Sequence, residues 1–229
     1  MEGEAAHHLG RVLRAEPGQL YELSDGNRVW LARVEEVKRD RIGFSFVEEL
    51  PAWLPTLQPT LLLSIVKFDA FEFALEKATE LGVGAIVPLA AARSEKALLA
   101  AAPKRAERWK KILLEASQQS RRFRVPELAA PTKPEAVFSA RSESQKILLS
   151  ERPDAPPLRN ILEGNGTYTP CVELALAIGP EGGWTEAEVE CARKHGFCEA
   201  SLGRLILRTE TAVIAALASV NYALSRREA

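Results

Sequence analysis

From Leu61 onward, short apolar runs alternate with segments whose apolar residues recur at helical spacing, and this alternation constrains the fold more than any other feature. LLLSIV (Leu61 to Val66) has the texture of a buried strand; Phe71, Ala74, Leu75, Ala78 and Leu81 then share one helical face, with Gly82 as a C-terminal stop. Next come a strand over Ala85 to Pro88, a helix carrying Trp109, Ile112, Leu113 and Ala116 on one face, and a short strand near Val125. A short helix near Glu135 and the strand Lys146 to Ser150 follow. Beyond a Pro- and Gly-rich connection from Pro153 to Pro170, the pattern predicts a strand over Val172 to Ile178 and a helix from Thr185 to His195. A short strand over Ala200 to Leu202 and a last helix ending about Leu224 complete it. Strands separated by helices pair in parallel, and a parallel sheet is covered on both faces, so the expected class is α/β.

The first fifty residues have a different texture. From Gln19 to Val47 the pattern is that of strands, with Asp25-Gly26 supplying the positive-φ residues of a tight hairpin turn, and Ile42, Phe44 and Phe46 alternating against Gly43, Ser45 and Val47. This predicts a small β domain. Prolines remove ladder donors and restrain their neighbours, so PAWLPTLQP, Pro51 to Pro59, marks a boundary between domains at 1–55 and 60–229.

At 229 residues and 46% hydrophobic, the chain has enough apolar material for a small domain joined to a larger one. No run reaches the roughly 18 apolar residues that cross a bilayer, and MEGEAAHHLGRVLR is acidic and polar where a signal peptide is basic and then apolar, so no membrane association and a cytoplasmic location are expected. Cys171, Cys191 and Cys198 are odd in number and lack metal-ligand spacing; they read as buried thiols, with no disulfide framework and no metal site. The net charge of -1 hides a local excess. Between Lys104 and Arg124, Lys104, Arg105, Arg108, Lys110, Lys111, Arg121, Arg122 and Arg124 face only Glu107 and Glu115. Such a run either grips phosphates or is an ordinary solvated helix face, and the pattern alone does not choose.

Gly179-Pro180-Glu181-Gly182-Gly183 follows an apolar strand directly and precedes a helix opening with Thr185 and carrying Glu188 three residues on, the signature of a capping box. Ligands of open α/β sheets sit beyond the carboxyl ends of strands, where glycines let the backbone come close. The segment has neither the Gly-Lys-Ser/Thr ending of a phosphate loop nor GxGxxG spacing, so it is a pocket wall of another kind or simply a tight turn. Leu202 to Ala212 (LGRLILRTETA) runs from a strand end into the last helix. Arg208 beside a helix start opposes the helix dipole, which leaves two readings: a partner outside the helix, or an ion pair with Glu210 or Glu181. His7 and His8 read as packing or hydrogen-bonding residues; Arg11 and Arg14, three apart, share one side if their segment is helical and then suit a phosphate. No Ser-His-Asp or Cys-His arrangement is evident.

HHLGRVLR near the start, Lys67, EKATELGVGAIVPL (Glu76 to Leu89), RWKKILLEASQQSRRFRVPEL (Arg108 to Leu128), IGPEGGWTEAE (Ile178 to Glu188) and LGRLILRTETA together resemble the RsmE family of small-subunit ribosomal RNA methyltransferases, in the family's order. GPEGG followed by LGxxILRxETA is the most specific part. The resemblance implies a PUA-like β-barrel that helps bind RNA, joined to a SPOUT domain whose C-terminal part forms a trefoil knot around S-adenosylmethionine. It implies a homodimer acting on uridine N3 in 16S ribosomal RNA, within the small subunit, without a metal.

Carried over by position, the cofactor pocket comprises Leu149, Ser150 and Glu151; Ile178, Gly179, Pro180, Glu181, Gly182 and Gly183; and Leu202, Gly203, Leu207, Arg208 and Thr209. The RNA contacts implied are Arg11, Arg14, Lys67, Arg93, Arg122 and Arg124. As catalytic groups, Arg208 is expected to stabilise the developing uridinate oxygen, and Glu210 or a water to receive the N3 proton. The apolar face of the last helix, Val213, Ile214, Leu217, Val220 and Leu224, serves either the dimer or the core. Two departures stand out. The family usually has an extra strand before the His-His pair, whereas the sequence reaches His7 almost at once, and Phe68 and Ala70 occupy positions where a glycine and a basic residue are usual. The alternatives are a SPOUT enzyme of ribose 2′-O or guanine N1 specificity, a non-catalytic ribosome-assembly factor, and an unrelated small-molecule α/β enzyme.

Overall fold

The computed structural model describes residues 1–12, 14–51, 57–163 and 173–224. The chain divides into two compact units, Met1–Leu54 and Pro55–Ala229.

In the first unit a short helix α1 (Gly3–His7) runs into a π-helical turn (His8–Val12) and then three antiparallel strands, β1 (Leu20–Ser24), β2 (Val29–Val37) and β3 (Ile42–Leu50). Ala6, Leu9 and Ala15 pack with Val34 and Ile42 to form its small core. Among the described residues these strands form one sheet in the order β1-β2-β3, and an isolated antiparallel bridge pairs Glu2 with Arg41. The hairpin also differs from expectation. Gly26 alone takes positive φ (+84°), in a four-residue loop from Asp25 to Arg28. Asp25 instead accepts hydrogen bonds through Oδ1 from the Asn27 and Arg28 amides, both at 2.8 Å, which hold its carboxyl below the usual range. The alternation read along β3 fails at its far end: Ile42 is fully buried but Phe46 is 64% exposed. A register shift between Leu31 and Ala32 leaves Val47 unpaired at that end, and α1 and its turn cover only the Ile42 end. His7 is exposed rather than packed; the His8 side chain and Leu13 lie outside what is described.

The second unit carries β4 (Thr60–Ser64), α2 (Phe68–Glu80), β5 (Ala85–Leu89), α3 (Lys96–Ala101), α4 (Ala106–Gln119), β6 (Glu127–Leu128) and α5 (Pro134–Ser139). It continues through β7 (Gln145–Leu149), α6 (Leu158–Glu163), β8 (Leu174–Ile178), α7 (Glu186–Lys194), β9 (Cys198–Ala200) and α8 (Thr209–Leu224). Its six strands form one parallel sheet in the order β6-β5-β4-β8-β7-β9, as the alternation predicts.

The strand sequences explain the layering. In β4, Leu61 and Leu63 face a core shared with Phe71, Leu75, Trp109, Leu113, Val213 and Leu217, whereas Leu62 faces the opposite core. In β8, Leu174, Leu176 and Ile178 join the first core, and the small residues Ala175 and Ala177 face the second, together with Trp184, Val189 and Ala192. Every residue of β8 is buried, which is why this run is apolar without alternation. Phe71 stacks 4.7 Å from Trp109 on one side of the sheet, and Phe138 lies 4.8 Å from Phe197 on the other.

Several boundaries differ from the sequence reading. The strand near Val125 is at Glu127–Leu128, and Val125 itself is 44% exposed; the strand placed at Ala200 to Leu202 is Cys198–Ala200. α3, and α6 within the Pro-rich connection, are too short for periodicity to reveal. Of the cysteines read as buried, Cys198 is exposed and Cys191 only partly buried, because both sit where α7 and β9 meet solvent; Cys171 lies outside the described residues. Among the described residues no helix is long and apolar enough to cross a membrane.

Candidate functional site

β7, β8 and β9 end at Leu149, Ile178 and Ala200, and the chain leaves all three in loops that converge on a cavity of about 580 Å³. This is the size of a small-molecule site, at the edge of the sheet where α/β folds place ligands. Leu149 to Glu151, Ile178 to Gly183, Leu202, Gly203, Leu207 and Thr209 all line it. The structure thus brings together every residue the family resemblance assigned to the pocket except Arg208.

The loops are tied to one another mainly through backbone groups. The Trp184 indole donates to the Leu149 carbonyl (2.9 Å), joining the second loop to the first. Thr209, buried at the start of α8, donates through its hydroxyl to the Gly179 carbonyl (3.3 Å), joining the second to the third. A Cβ on Gly179 would meet the Trp184 ring at 3.1 Å, so a side chain here would press on the indole that ties the two loops together. Gly183 turns the chain at φ +69°. Arg152 extends from the first loop to Glu186 at 3.0 and 3.1 Å and to Glu199 at 3.8 Å, and these carboxylates raise its pKa, Glu186 foremost.

α7 begins as the capping box predicts. Thr185 Oγ1 accepts from the Glu188 amide (3.3 Å), and Glu188 Oε2 accepts from the Thr185 amide (2.8 Å). The other carboxylate oxygen has a second use that the sequence did not announce: Oε1 accepts the Ala92 amide at 2.8 Å, from the loop after β5.

Arg208 is exposed, and among the described residues no ion pair joins it to Glu210 or Glu181. Glu210 stands half-buried in the first turn of α8 and is not part of the cavity lining. The basic residues expected at RNA lie on different elements of the two units. Arg11 lies in the π-helical turn and Arg14 beyond it with φ +52°, so the two do not share a helix face. Lys67 is exposed immediately before α2. Arg93 lines the cavity and donates to the Gly182 carbonyl at 2.8 Å. Arg122 is half-buried, donating to the carbonyls of Thr79 (2.7 Å) and Arg124 (3.2 Å), and its desolvation lowers its pKa. The Arg124 guanidinium lies over Phe123. Part of the basic run is neutralised within the chain: Glu72 receives Arg108 at 2.7 Å and Arg105 at 3.5 Å, and Lys110 meets Glu107. Phe68, where the family usually has glycine, lies under the Arg105 guanidinium at 4.7 Å.

Sequence reasoning missed Trp184, Arg152 and the 204–206 segment as parts of the cavity wall. Trp184 had a usable signal, an indole directly after the glycine loop. Leu205 and Ile206, 82% and 77% exposed, had none, because apolar side chains in a loop are ordinarily read as buried.

Comparison with known proteins accords with this geometry. Residues 54–221 match the family model described as RNA methyltransferase domain, and residues 2–46 the model described as RNA methyltransferase PUA domain. Ribosomal RNA small subunit methyltransferase E of Synechocystis is 36% identical over 95% of this chain and 71% of its own length; that of Aquifex aeolicus is 33% identical over 93% and 89%. The crystal structure of ribosomal RNA small subunit methyltransferase E from Neisseria gonorrhoeae bound to S-adenosyl methionine superposes with a TM-score of 0.85 at 32% identity, covering 97% of this chain and 90% of that one. With a matched domain spanning most of its length and relatives at this level of identity, the chain belongs to the ribosomal RNA small subunit methyltransferase E family.

Proposed function

We propose that this protein transfers a methyl group from S-adenosylmethionine to N3 of a uridine in 16S ribosomal RNA. The observation that carries the reading is the convergence of the three loops, with their glycines, on one cavity at the carboxyl ends of β7, β8 and β9. The site fits the cofactor on two grounds. Its volume suits a nucleoside-sized ligand, and its walls at Gly179, Gly182 and Gly183 carry no side chain of their own, which lets a ligand approach the backbone closely. Leu149 to Glu151, Ile178 to Gly183, Leu202, Gly203, Leu207 and Thr209 would hold it. When bound, S-adenosylmethionine supplies a sulfonium methyl group open to nucleophilic attack. The protein's part is to align the uridine and to manage the N3 proton. Arg208, with no ion pair among the described residues, stabilises negative charge on the uridine oxygen, and Glu210 or a water accepts the proton.

In this reading the C-terminal segment is knotted through the three loops, and two copies assemble as a dimer. Support for the dimer comes from α8, which is apolar around most of its circumference and leaves Tyr222 94% exposed beside Ala218 and Ser219. Arg11, Arg14, Lys67 and Arg124 contact the ribosomal RNA, an assignment supported by the exposure of all four. The work is done in the cytoplasm, on the small subunit.

Calorimetric titration with S-adenosylmethionine tests the site. The wild type should bind, and Gly182→Val should not: a Cβ at Gly182 already meets the Arg93 Cβ at 3.3 Å, so valine's two methyl groups must displace Arg93 or enter the cavity. Undiminished binding by this variant would refute the loop assignment.

A further inference from the structure

The cavity has a fourth wall, contributed by neither β7, β8 nor β9. The chain leaving β5 forms a short loop, Ala90 to Ser94, tied down by the Ala90 amide on the Thr132 carbonyl (2.9 Å) and by three hydrogen bonds that involve side chains. Ser94 Oγ, buried, donates to the Ile65 carbonyl at the end of β4 (2.7 Å). The Ala92 amide donates to Glu188 Oε1 (2.8 Å). Arg93 Nη1 donates to the Gly182 carbonyl (2.8 Å), its Cβ within 3.3 Å of where a Gly182 Cβ would stand.

Glu188 is 1% exposed, and its carboxylate receives only donors: Ala92 N on one oxygen, Thr185 N and Thr185 Oγ1, each at 2.8 Å, on the other. A buried carboxylate satisfied in this way is held in place, because losing a donor leaves a buried oxygen short of a hydrogen bond, which is costly. It therefore fixes the start of α7 relative to residue 92. Arg93, one residue on, then fixes the glycine loop that leads into the same helix. The path Glu188, Ala92, Arg93, Gly182 closes on itself through Gly183, Trp184 and Thr185.

We propose that Arg93 is a positioning residue for the cofactor loop, held in place by Glu188, and that its role is to set the Gly182 carbonyl and the adjoining backbone against the cofactor rather than to bind RNA. The inference rests on the reading that S-adenosylmethionine occupies this cavity. A loop that supplies backbone contacts must be ordered before the ligand arrives; otherwise binding carries the cost of ordering it.

The experiment measures S-adenosylmethionine affinity by calorimetry, small-subunit affinity as a function of salt, and Tm, for the wild type, Arg93→Ala, Arg93→Lys, Glu188→Gln and the double variant Arg93→Ala/Glu188→Gln. Leu207→Arg, which obstructs the cavity from the loop before α8, is the control for the underlying reading. Arg93→Ala should weaken cofactor binding about tenfold, the worth of one charge-assisted hydrogen bond, while subunit affinity and its salt slope stay at the wild-type values. Arg93→Lys, which keeps a cationic donor, should recover most of the loss. Glu188→Gln should weaken cofactor binding in the same direction, and the double variant should fall short of the product of the two single effects, since both break one closed path.

Unchanged cofactor affinity in Arg93→Ala would overturn the proposal, whether or not Tm falls. So would a salt slope reduced by about one, the mark of a lost phosphate contact. If Leu207→Arg binds the cofactor as the wild type does, the cavity reading itself fails and the proposal falls with it. Loss of binding in Leu207→Arg alone leaves the cavity standing and rejects only the role of Arg93.

Discussion

At Arg121 the chain takes a conformation its side chain does not favour. α4 ends in a Schellman turn: the Arg122 amide donates to the Ser117 carbonyl (2.8 Å), the Arg121 amide to that of Gln118 (3.3 Å), and Arg121 takes φ +54° at the position where glycine is usual. A Cβ in the left-handed region costs about 1–2 kcal/mol. Replacement by glycine removes that cost and restores part of it as freedom of the unfolded chain. Arg121→Gly should therefore raise Tm by roughly 1–3 °C, read by differential scanning calorimetry; a lower Tm would mean that the arginine side chain contributes more than its backbone loses. Single residues such as this were the least legible part of the sequence. That Arg121, and not a glycine, turns the end of α4 depends on hydrogen bonds between segments, and so does the use of Arg122 as a tie to Thr79. No spacing rule encodes either.

Elements were more legible where local chemistry alone sets them. The capping box at Thr185 is an example: both of its reciprocal bonds lie within four residues, so the sequence contains all the information needed. Thr185→Ala removes the acceptor for the Glu188 amide and one donor to the Glu188 carboxylate. It should lower stability by about 1 kcal/mol, a fall in Tm of roughly 2–4 °C; an unchanged Tm would show that tertiary packing alone holds the start of α7. The Asp25-Gly26 turn marks the limit of such reading. The dipeptide announced a turn, but its length was set by Asp25 capping two amides of a longer loop. The burial of β3 was likewise illegible beyond Ile42, because it depends on how far α1 and its turn extend over the sheet. In the parallel sheet, by contrast, runs such as LALAI have no polar side to expose, and the burial of β8 follows directly.

For the molecule as a whole, the alternation of strands and helices predicted a parallel sheet, but the strand order β6-β5-β4-β8-β7-β9 could not be inferred from it. The cavity depends on that order, since it requires the ends of β7, β8 and β9 side by side. The loop from Gly179 to Gly183 was readable as a pocket wall from its place after an apolar strand, with a tight turn as the other reading. The residues of the other two loops were named in advance only through family resemblance, which carries spatial information that periodicity lacks. The division into Met1–Leu54 and Pro55–Ala229 suggests a division of labour, which a paired substitution tests. Arg11→Ala with Arg14→Ala should weaken small-subunit binding and reduce its salt slope by about one to two, with S-adenosylmethionine affinity unchanged. An unaltered salt slope would remove the first unit from the RNA contact.

The most direct test of the central claim is incubation with radiolabelled S-adenosylmethionine and small ribosomal subunits from a strain lacking its own enzyme of this kind, followed by digestion of the RNA and nucleoside analysis. The label is expected in 3-methyluridine. Label in a ribose-methylated nucleoside or in 1-methylguanosine would contradict the assigned specificity, and the absence of label from a protein that binds the cofactor would contradict methyl transfer to this RNA altogether.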